Sequence, residues 1–215
     1  MLHDWRINER EYKRHESRRG HRHAFRDLTA ERTALVVVDM VPFFLDENPY
    51  AAGIVPNVNA LAGAVRTAGG YVAWVLPAPA PVRVFEEFYG EAIAATYQFS
   101  GGNGPLPGRL AAGLAPVADD LFVEKTAASA FFPGRCNLHA HLEGRGVDTV
   151  IVAGTVANVC CESTVRDAST LGYRTIMVAD ANAALRDPDL NATLHTVYRS
   201  FGDVRTTQEL IELVQ

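Results

Sequence analysis

Six short apolar runs, each followed by helical spacing or a turn, set the narrowest limit on what this chain can become. The first, Ala34–Asp39 (ALVVVD), is β-branched and shows no polar alternation, so it reads as a strand buried on both faces. Tyr71–Leu76, Leu121–Glu124, Thr149–Ala153, Arg174–Ala179 and Asp203–Thr206 follow as the second to sixth strands. Between them helical spacing spans Pro56–Ala68, closed by Gly69-Gly70, then an irregular region over Val84–Tyr97 and a helix over Leu138–Gly144. Further helices read over Cys160–Leu171, stopped at Gly172, over Asp189–Phe201 behind an Asp-Pro-Asp start, and over Thr207–Val214. Strands alternating with helices predict an α/β fold, a parallel sheet covered on both faces. The proline-rich Pro77–Pro81 and the Gly/Pro-rich Ser100–Pro107 read as loops.

A chain of 215 residues suits one such domain, here 31–215, and no repeat or linker argues for a second. Residues 1–30 stand apart as a polar N-terminal arm with Trp5, Ile7, Tyr12, Phe25 and Leu28 as its apolar exceptions. It reads either as a solvated arm or as one docked on a neighbouring subunit. Its eight Lys/Arg against five Asp/Glu leave +3 locally, so the remainder of a −5 chain carries −8. That balance, with acidic residues interrupting each basic cluster, excludes nucleic acid as a partner. No apolar run has membrane-spanning length and the N-terminus lacks a signal-peptide core, so no membrane partner is expected. Three cysteines, two of them adjacent, form no disulfide framework and point to a reducing, cytoplasmic setting.

In open parallel sheets ligands bind beyond the carboxyl ends of the strands. Three reactive side chains directly follow apolar runs: Asp39 after the first, Lys125 after the third and Cys160 after the fourth. Alone, Asp39 could cap a turn, Lys125 could be solvated and Cys160 could be a small core residue. Together at equivalent strand ends they form a candidate constellation. The stretch Val150–Thr164 makes a strand, a tight turn and a helix start with a thiol in the turn, and a helix N-terminus favours thiolate. A carboxylate can take a thiol's proton and return it to a leaving nitrogen, and an ammonium orients that carboxylate and offsets the thiolate.

The segments Val36–Phe44 (VVVD-M-x-x-F-F), Glu124–Phe131 (EKTAASAF) and Val152–Ala168 (VAGTVANVCCESTVRDA) resemble the isochorismatase-like cysteine hydrolase superfamily, from about Ala34 to the C-terminus. The resemblance implies a three-layer fold with a six-stranded parallel sheet ordered 3-2-1-4-5-6, and a triad of Asp39, Lys125 and Cys160. It also implies a cis peptide at Thr155–Val156, with the N–H groups of Val156 and Cys160 as an oxyanion hole. Motif register selects Cys160 over Cys161, which would face another side of the helix, and leaves Cys136 a bystander. Phe44 and Phe131 are expected in the substrate pocket, with ordinary core packing as the alternative. Val41 and Pro42 replace the family's polar pair and make the wall beside Asp39 less polar.

Nicotinamidases of this superfamily carry an Asp/His metal cluster after the second strand. Leu76–Pro79 and the residues after it hold no histidine, and His139 and His141 lie two apart on a helix, so no metal or other cofactor is expected. The implied activity is hydrolysis of a C–N bond in a small amide, ureido or carbamoyl compound through a thioester. The alternatives are a vinyl-ether hydrolase of isochorismatase type, which needs no thiol, and a non-catalytic binding or assembly protein. A homo-oligomer, dimer or tetramer, is the expected assembly. The loops after Leu76 and around Ser100–Pro107 are expected to shape the pocket.

Overall fold

A computed structural model describes residues 1–46, 48–80 and 83–215. In chain order the elements are α1 Glu9–Arg19, β1 Thr33–Val38, α2 Pro42–Leu45, α3 Pro49–Gly53, α4 Val55–Thr67 and β2 Tyr71–Pro77. Then come α5 Arg83–Tyr89, α6 Glu91–Gln98, β3 Leu121–Lys125, α7 Leu138–Glu143, β4 Thr149–Thr155 and α8 Glu162–Thr170. The chain ends with β5 Arg174–Ala183, α9 Asp187–Ser200, β6 Asp203–Arg205 and α10 Thr207–Val214. All strand pairs are parallel, in the order β3-β2-β1-β4-β5-β6. The end of the proline-rich segment, Pro81, lies outside the described residues.

Every residue of β1 is buried, as its unbroken β-branched run demands. Alternate side chains point to opposite layers: Val36 and Val38 pack with Val150, Val152, Leu190 and Leu194, while Leu35 and Val37 pack with Val58, Leu61, Ile151 and Leu210. The strands β1 and β4 stay paired to their carboxyl ends, where Val38 pairs with Gly154. Gly154 has φ 122, and a Cβ there would sit 2.2 Å from the Val38 carbonyl oxygen. Only glycine permits that approach.

Beyond this point β5 is longer than the sequence predicts. Its register against β4 shifts between Val152 and Gly154, and the strand continues to Ala183 rather than ending at Ala179. The Asn182 side chain closes the gap, donating to the carbonyls of Val152 at 2.8 Å and Val178 at 2.7 Å. Helix α9 starts at Asp187, two residues before the expected Asp189, because Pro188 is tolerated in a first turn. The irregular region resolves into α5 and α6.

The N-terminal segment corrects the solvated-arm expectation. Asn8 caps α1 by accepting from the Arg10 amide, acidic Glu9 and Glu11 lie in its first turn, and Gly20 ends it at φ 78. Ile7 and Tyr12 are buried on the same chain, the Tyr12 ring meeting Tyr198 edge-on at 5.0 Å. Within the chain the segment packs on the protein's own α9 face. His3 stacks on Tyr50 at 3.7 Å, accepts from the Ala184 amide through Nε2 at 3.1 Å, and places Nδ1 2.6 Å from Asp187 Oδ1. An Nε2 acceptor leaves the proton on Nδ1, which therefore donates to Asp187. His3→Ala is expected to cost roughly 1–3 kcal/mol in urea unfolding, because the buried Ala184 amide loses its acceptor. Unchanged stability would show that the segment does not stay docked.

Candidate active site

The carboxyl edge of the sheet gathers the three reactive residues. Asp39 follows β1 in a left-handed conformation, φ 52, which an aspartate tolerates better than bulky side chains do. Its amide still donates to the Val75 carbonyl at 2.9 Å, so β2 fixes the turn that aims the carboxylate. Lys125 is the last residue of β3 and pairs backwards with Cys136 in an antiparallel bridge, while the Thr126 amide donates to Arg135. Asp39 and Lys125 are 1% and 3% exposed, and charged side chains buried to that degree need partners.

The partners are one another and the thiol. Lys125 Nζ lies 2.8 Å from Asp39 Oδ2, donates to the Ala127 carbonyl at 3.0 Å and reaches Cys160 Sγ at 3.5 Å. The Lys125–Asp39 contact is a short ion pair, and the Cys160 thiol also reaches the Asp39 carboxylate as a hydrogen-bond donor.

Cys160 sits within a π-helical turn, Ala157–Cys161, rather than opening an α-helix as the sequence predicts. The Val156 carbonyl accepts from the amides of Val159 at 3.0 Å and Cys161 at 3.3 Å, and the wider ring carries the chain from strand end to α8. The peptide bond Thr155–Val156 is cis. Thr164 anchors the turn: its hydroxyl donates to the Cys160 carbonyl at 2.7 Å and accepts from the Ala130 amide at 3.1 Å. The same side chain therefore joins the thiol turn to the loop after Lys125.

Burial dominates the electrostatics. It raises the Asp39 pKa, and the nearby Lys125 charge only partly opposes it. Burial also works against a charged Lys125, yet attraction to Asp39 and Cys160 outweighs it and holds the ammonium well above its ordinary value. Cys160 is pushed up to about 12 by burial and by the Asp39 charge, against the pull of Lys125. The expectation that a helix start makes the resting thiol a thiolate is corrected: the proton stays on sulfur, next to a carboxylate that can accept it. Cys161 is fully buried in the core and burial raises it well above the usual thiol range. Cys136 is also raised by burial.

A cavity of about 210 Å³ opens onto the triad. Phe44, Phe85, Tyr89 and Tyr97 wall it, with Val156 and Val159 beside Cys160. Phe131, expected there, is instead a core residue 2% exposed, its ring 5.2 Å from Tyr173. The loops after Leu76 and at Ser100 contribute Pro77, Ala78, Ala80 and Ser100. Buried Arg109 fastens these loops, donating to the carbonyls of Gly101 at 2.6 Å and Pro77 at 2.8 Å and to Glu124 at 2.7 Å. A Cβ on Gly101 would fall 1.9 Å from the Pro77 oxygen, so glycine is required for this contact. Sequence reasoning did not single out Arg109, Tyr89 or Tyr97. The one available signal was four aromatic rings between Phe85 and Tyr97 without a buried-face period. His139 bonds the Tyr173 hydroxyl at 2.8 Å and does not line the cavity. Among the described residues no three His, Cys, Asp or Glu side chains form a metal-ligand group.

A thiol beside a carboxylate–ammonium pair, at the carboxyl edge of a sheet of this order, defines an α/β cysteine hydrolase as the class. The isochorismatase domain model matches residues 33–209. The chain is 31% identical over 200 residues to the isochorismatase family protein YwoC of Bacillus subtilis, covering 88% of this chain and 97% of that one. It is 29% identical over 216 residues to the ureidoacrylate amidohydrolase RutB of Variovorax paradoxus, covering 86% and 82%. The crystal structure of a cysteine hydrolase from Pseudomonas syringae pv. phaseolicola superposes with a TM-score of 0.77 at 30% identity, covering 89% of this chain and 96% of that one. The protein belongs to the isochorismatase family of hydrolases.

Proposed function

We propose that the protein is a cysteine-dependent amidohydrolase that cleaves a C–N bond of a small amide, ureido or carbamoyl compound through a thioester. The observation that carries this reading is Lys125 Nζ, which bridges the Asp39 carboxylate at 2.8 Å and the Cys160 sulfur at 3.5 Å at the base of an aromatic-walled cavity. The relatedness to an amidohydrolase supports it.

Asp39 accepts the Cys160 proton as sulfur attacks the carbonyl carbon, and the C=O pair moves onto oxygen. The N–H groups of Val156 and Cys160 receive that oxyanion. On collapse the C–N bond breaks and Asp39 passes its proton to the departing nitrogen, releasing ammonia or an amine and leaving the acyl group on sulfur. Water then loses a proton to Asp39, attacks the thioester, and the sulfur leaves to regain that proton. Lys125 stays charged throughout and offsets the negative charge that moves between oxygen and sulfur. No cofactor enters this scheme, and the three free cysteines suit a reducing cytoplasm.

Measuring ammonia release from a panel of small amides, ureas and carbamoyl compounds tests the reading, and release from none of them would overturn it. The pH dependence is a second check. Asp39 must be ionised to act, so kcat/KM is expected to fall on acidification through a pKa above the ordinary carboxylate range. No thiolate absorbance from Cys160 is expected at neutral pH. A thiolate already present at neutral pH would contradict the assigned proton positions.

We also propose that the enzyme works as a homo-oligomer. Phe88 and Phe99, on and beside α5 and α6, are 79% and 70% exposed, and these are the apolar side chains that a second copy would cover. Sedimentation is expected to show at least a dimer, with Phe88→Ser plus Phe99→Ser shifting it towards monomer. A wild-type monomer at every concentration would refute this.

A further inference from the structure

The last part of β5 has a strand on one side only. β6 pairs with Ile176, Met177 and Val178, whereas Gly154 and Thr155 of β4 pair further on, with Asn182 and Ala183. Among the described residues no strand flanks β5 on its other side over that stretch. Its partner Thr155 leads directly into Val156, whose N–H group, with that of Cys160, is proposed to receive the oxyanion. Ala184, the next residue after β5, is fully buried in the same cluster as Ala157 and Cys161. A residue so buried needs partners for its N–H and its C=O.

Those partners are side chains from outside the sheet. His3 Nε2 accepts from the Ala184 amide at 3.1 Å, and Asn48 Nδ2 donates to the Ala184 carbonyl at 3.2 Å. Each is itself fixed. Asn48 caps α3, its Oδ1 accepting from the amides of Tyr50 and Ala51. Tyr50 lies flat on the His3 ring, 3.7 Å away and 9° from parallel. Asp187, the first residue of α9, accepts from His3 Nδ1 at 2.6 Å, so the imidazole ties the strand end to the helix that follows it. Asn191 holds the segment that bears His3, accepting from the Arg6 amide at 2.6 Å and donating to the Asp4 carbonyl at 3.0 Å. A side chain that does not line the cavity is thus bonded to the residue after Ala183, the strand partner of Thr155.

We infer that His3 is a positioning residue: by holding Ala184 it fixes the strand end behind Val156, and with it the donors that receive the oxyanion. Such donors act only where they are aimed in advance, and a displacement of about 1 Å costs up to roughly 10²-fold in rate. The effect of His3 on turnover rests on the amidohydrolase reading; its effect on the turn does not.

Two substitutions at His3 separate the acceptor from the ring. His3→Phe keeps a ring to stack on Tyr50 and removes the acceptor, whereas His3→Gln removes the ring and returns an acceptor oxygen at the ε position. Asn48→Ser tests the same hold from the other side, keeping the α3 cap but losing the donor to Ala184. kcat and KM are measured on the panel amide that releases ammonia fastest, and hydrogen exchange read by mass spectrometry compares residues 155–160 with β3. For His3→Phe and Asn48→Ser the expected kcat is lower by about ten- to a hundredfold, with KM within about threefold of wild type. Exchange over 155–160 is expected to be faster while that of β3 is unchanged. His3→Gln is expected to return both readouts to near wild type. Wild-type kcat in both His3→Phe and Asn48→Ser, a loss that glutamine does not restore, or an exchange change spread equally over β3 overturns the positioning role. If the wild-type protein hydrolyses no amide, the hydrolytic reading falls and exchange alone decides. Faster exchange over 155–160 then supports the hold on the turn, and unchanged exchange overturns it.

Discussion

Cys160→Ala is expected to lower turnover by about 10⁴–10⁶-fold, the loss seen when a covalent nucleophile is removed from a cooperating set. The neighbouring thiol provides the control. Cys161 differs from Cys160 by one position and shares its chemistry, yet it is fully buried among Val150, Val152 and Val165 and does not line the cavity. Cys161→Ala is therefore expected to leave kcat within a few-fold and to lower stability by about 1 kcal/mol for the small void it leaves. Steady-state ammonia release and urea unfolding on both variants separate the two roles. If Cys161→Ala abolished turnover and Cys160→Ala kept it, the assignment would be reversed.

The second large effect lies one residue before the cis peptide, at Gly154. Gly154→Ala is expected to destabilise the fold by more than about 4 kcal/mol, at the extreme of point substitutions. A methyl group there would lie 2.2 Å from Val38 O and 2.7 Å from Val38 N, and φ 122 is unsuited to any L side chain. The neighbouring strand cannot yield, because Val38 immediately precedes Asp39 and is paired on both sides, to Val75 and Gly154. Gly63→Ala makes the comparison: it lies within α4, has open space around it, and is expected to stabilise by about 0.5–1 kcal/mol. Urea midpoints read both. A Gly154→Ala protein as stable as wild type would mean that β1 and β4 do not approach as described.

What could be read from the sequence was what depends on strand position. Asp39, Lys125 and Cys160 each end or follow an apolar run, and a parallel sheet places such ends on one edge, so their convergence needed no knowledge of loops. Gly154 lies at the same edge, although its close approach to Val38 could not be seen until the strands were paired. Phe131 shows the limit: an aromatic after the Lys125 strand can turn to the pocket or to the core, and the path of the loop from Ala127 to Phe131 decides. That path depends on Thr164, thirty-odd positions away, holding the Ala130 amide.

The aromatic walls were illegible for the same reason. Phe85, Tyr89 and Tyr97 line the cavity with Pro77 and Ser100, and Arg109 holds the Gly101 and Pro77 carbonyls together, a contact between distant segments with no local pattern. Helix α1 was a different omission. Its cap Asn8, its acidic first turn and its terminal Gly20 were all present, but Tyr12 is nearly alone as an apolar residue, so periodicity gave no stripe to find. The protonation of Cys160 followed neither from helix position nor from motif. It is set by burial and by Asp39, which only the assembled site brings to bear on the sulfur.

The most direct measurement of the central claim is rapid acid quenching during turnover of a hydrolysed amide, followed by peptide mass mapping. An added acyl mass is expected on the peptide holding Cys160, with the modification on that residue, and it is expected to disappear as substrate is exhausted. An acyl group carried by Cys161, Cys136 or any other residue, or stoichiometric ammonia release in the Cys160→Ala protein, would contradict it.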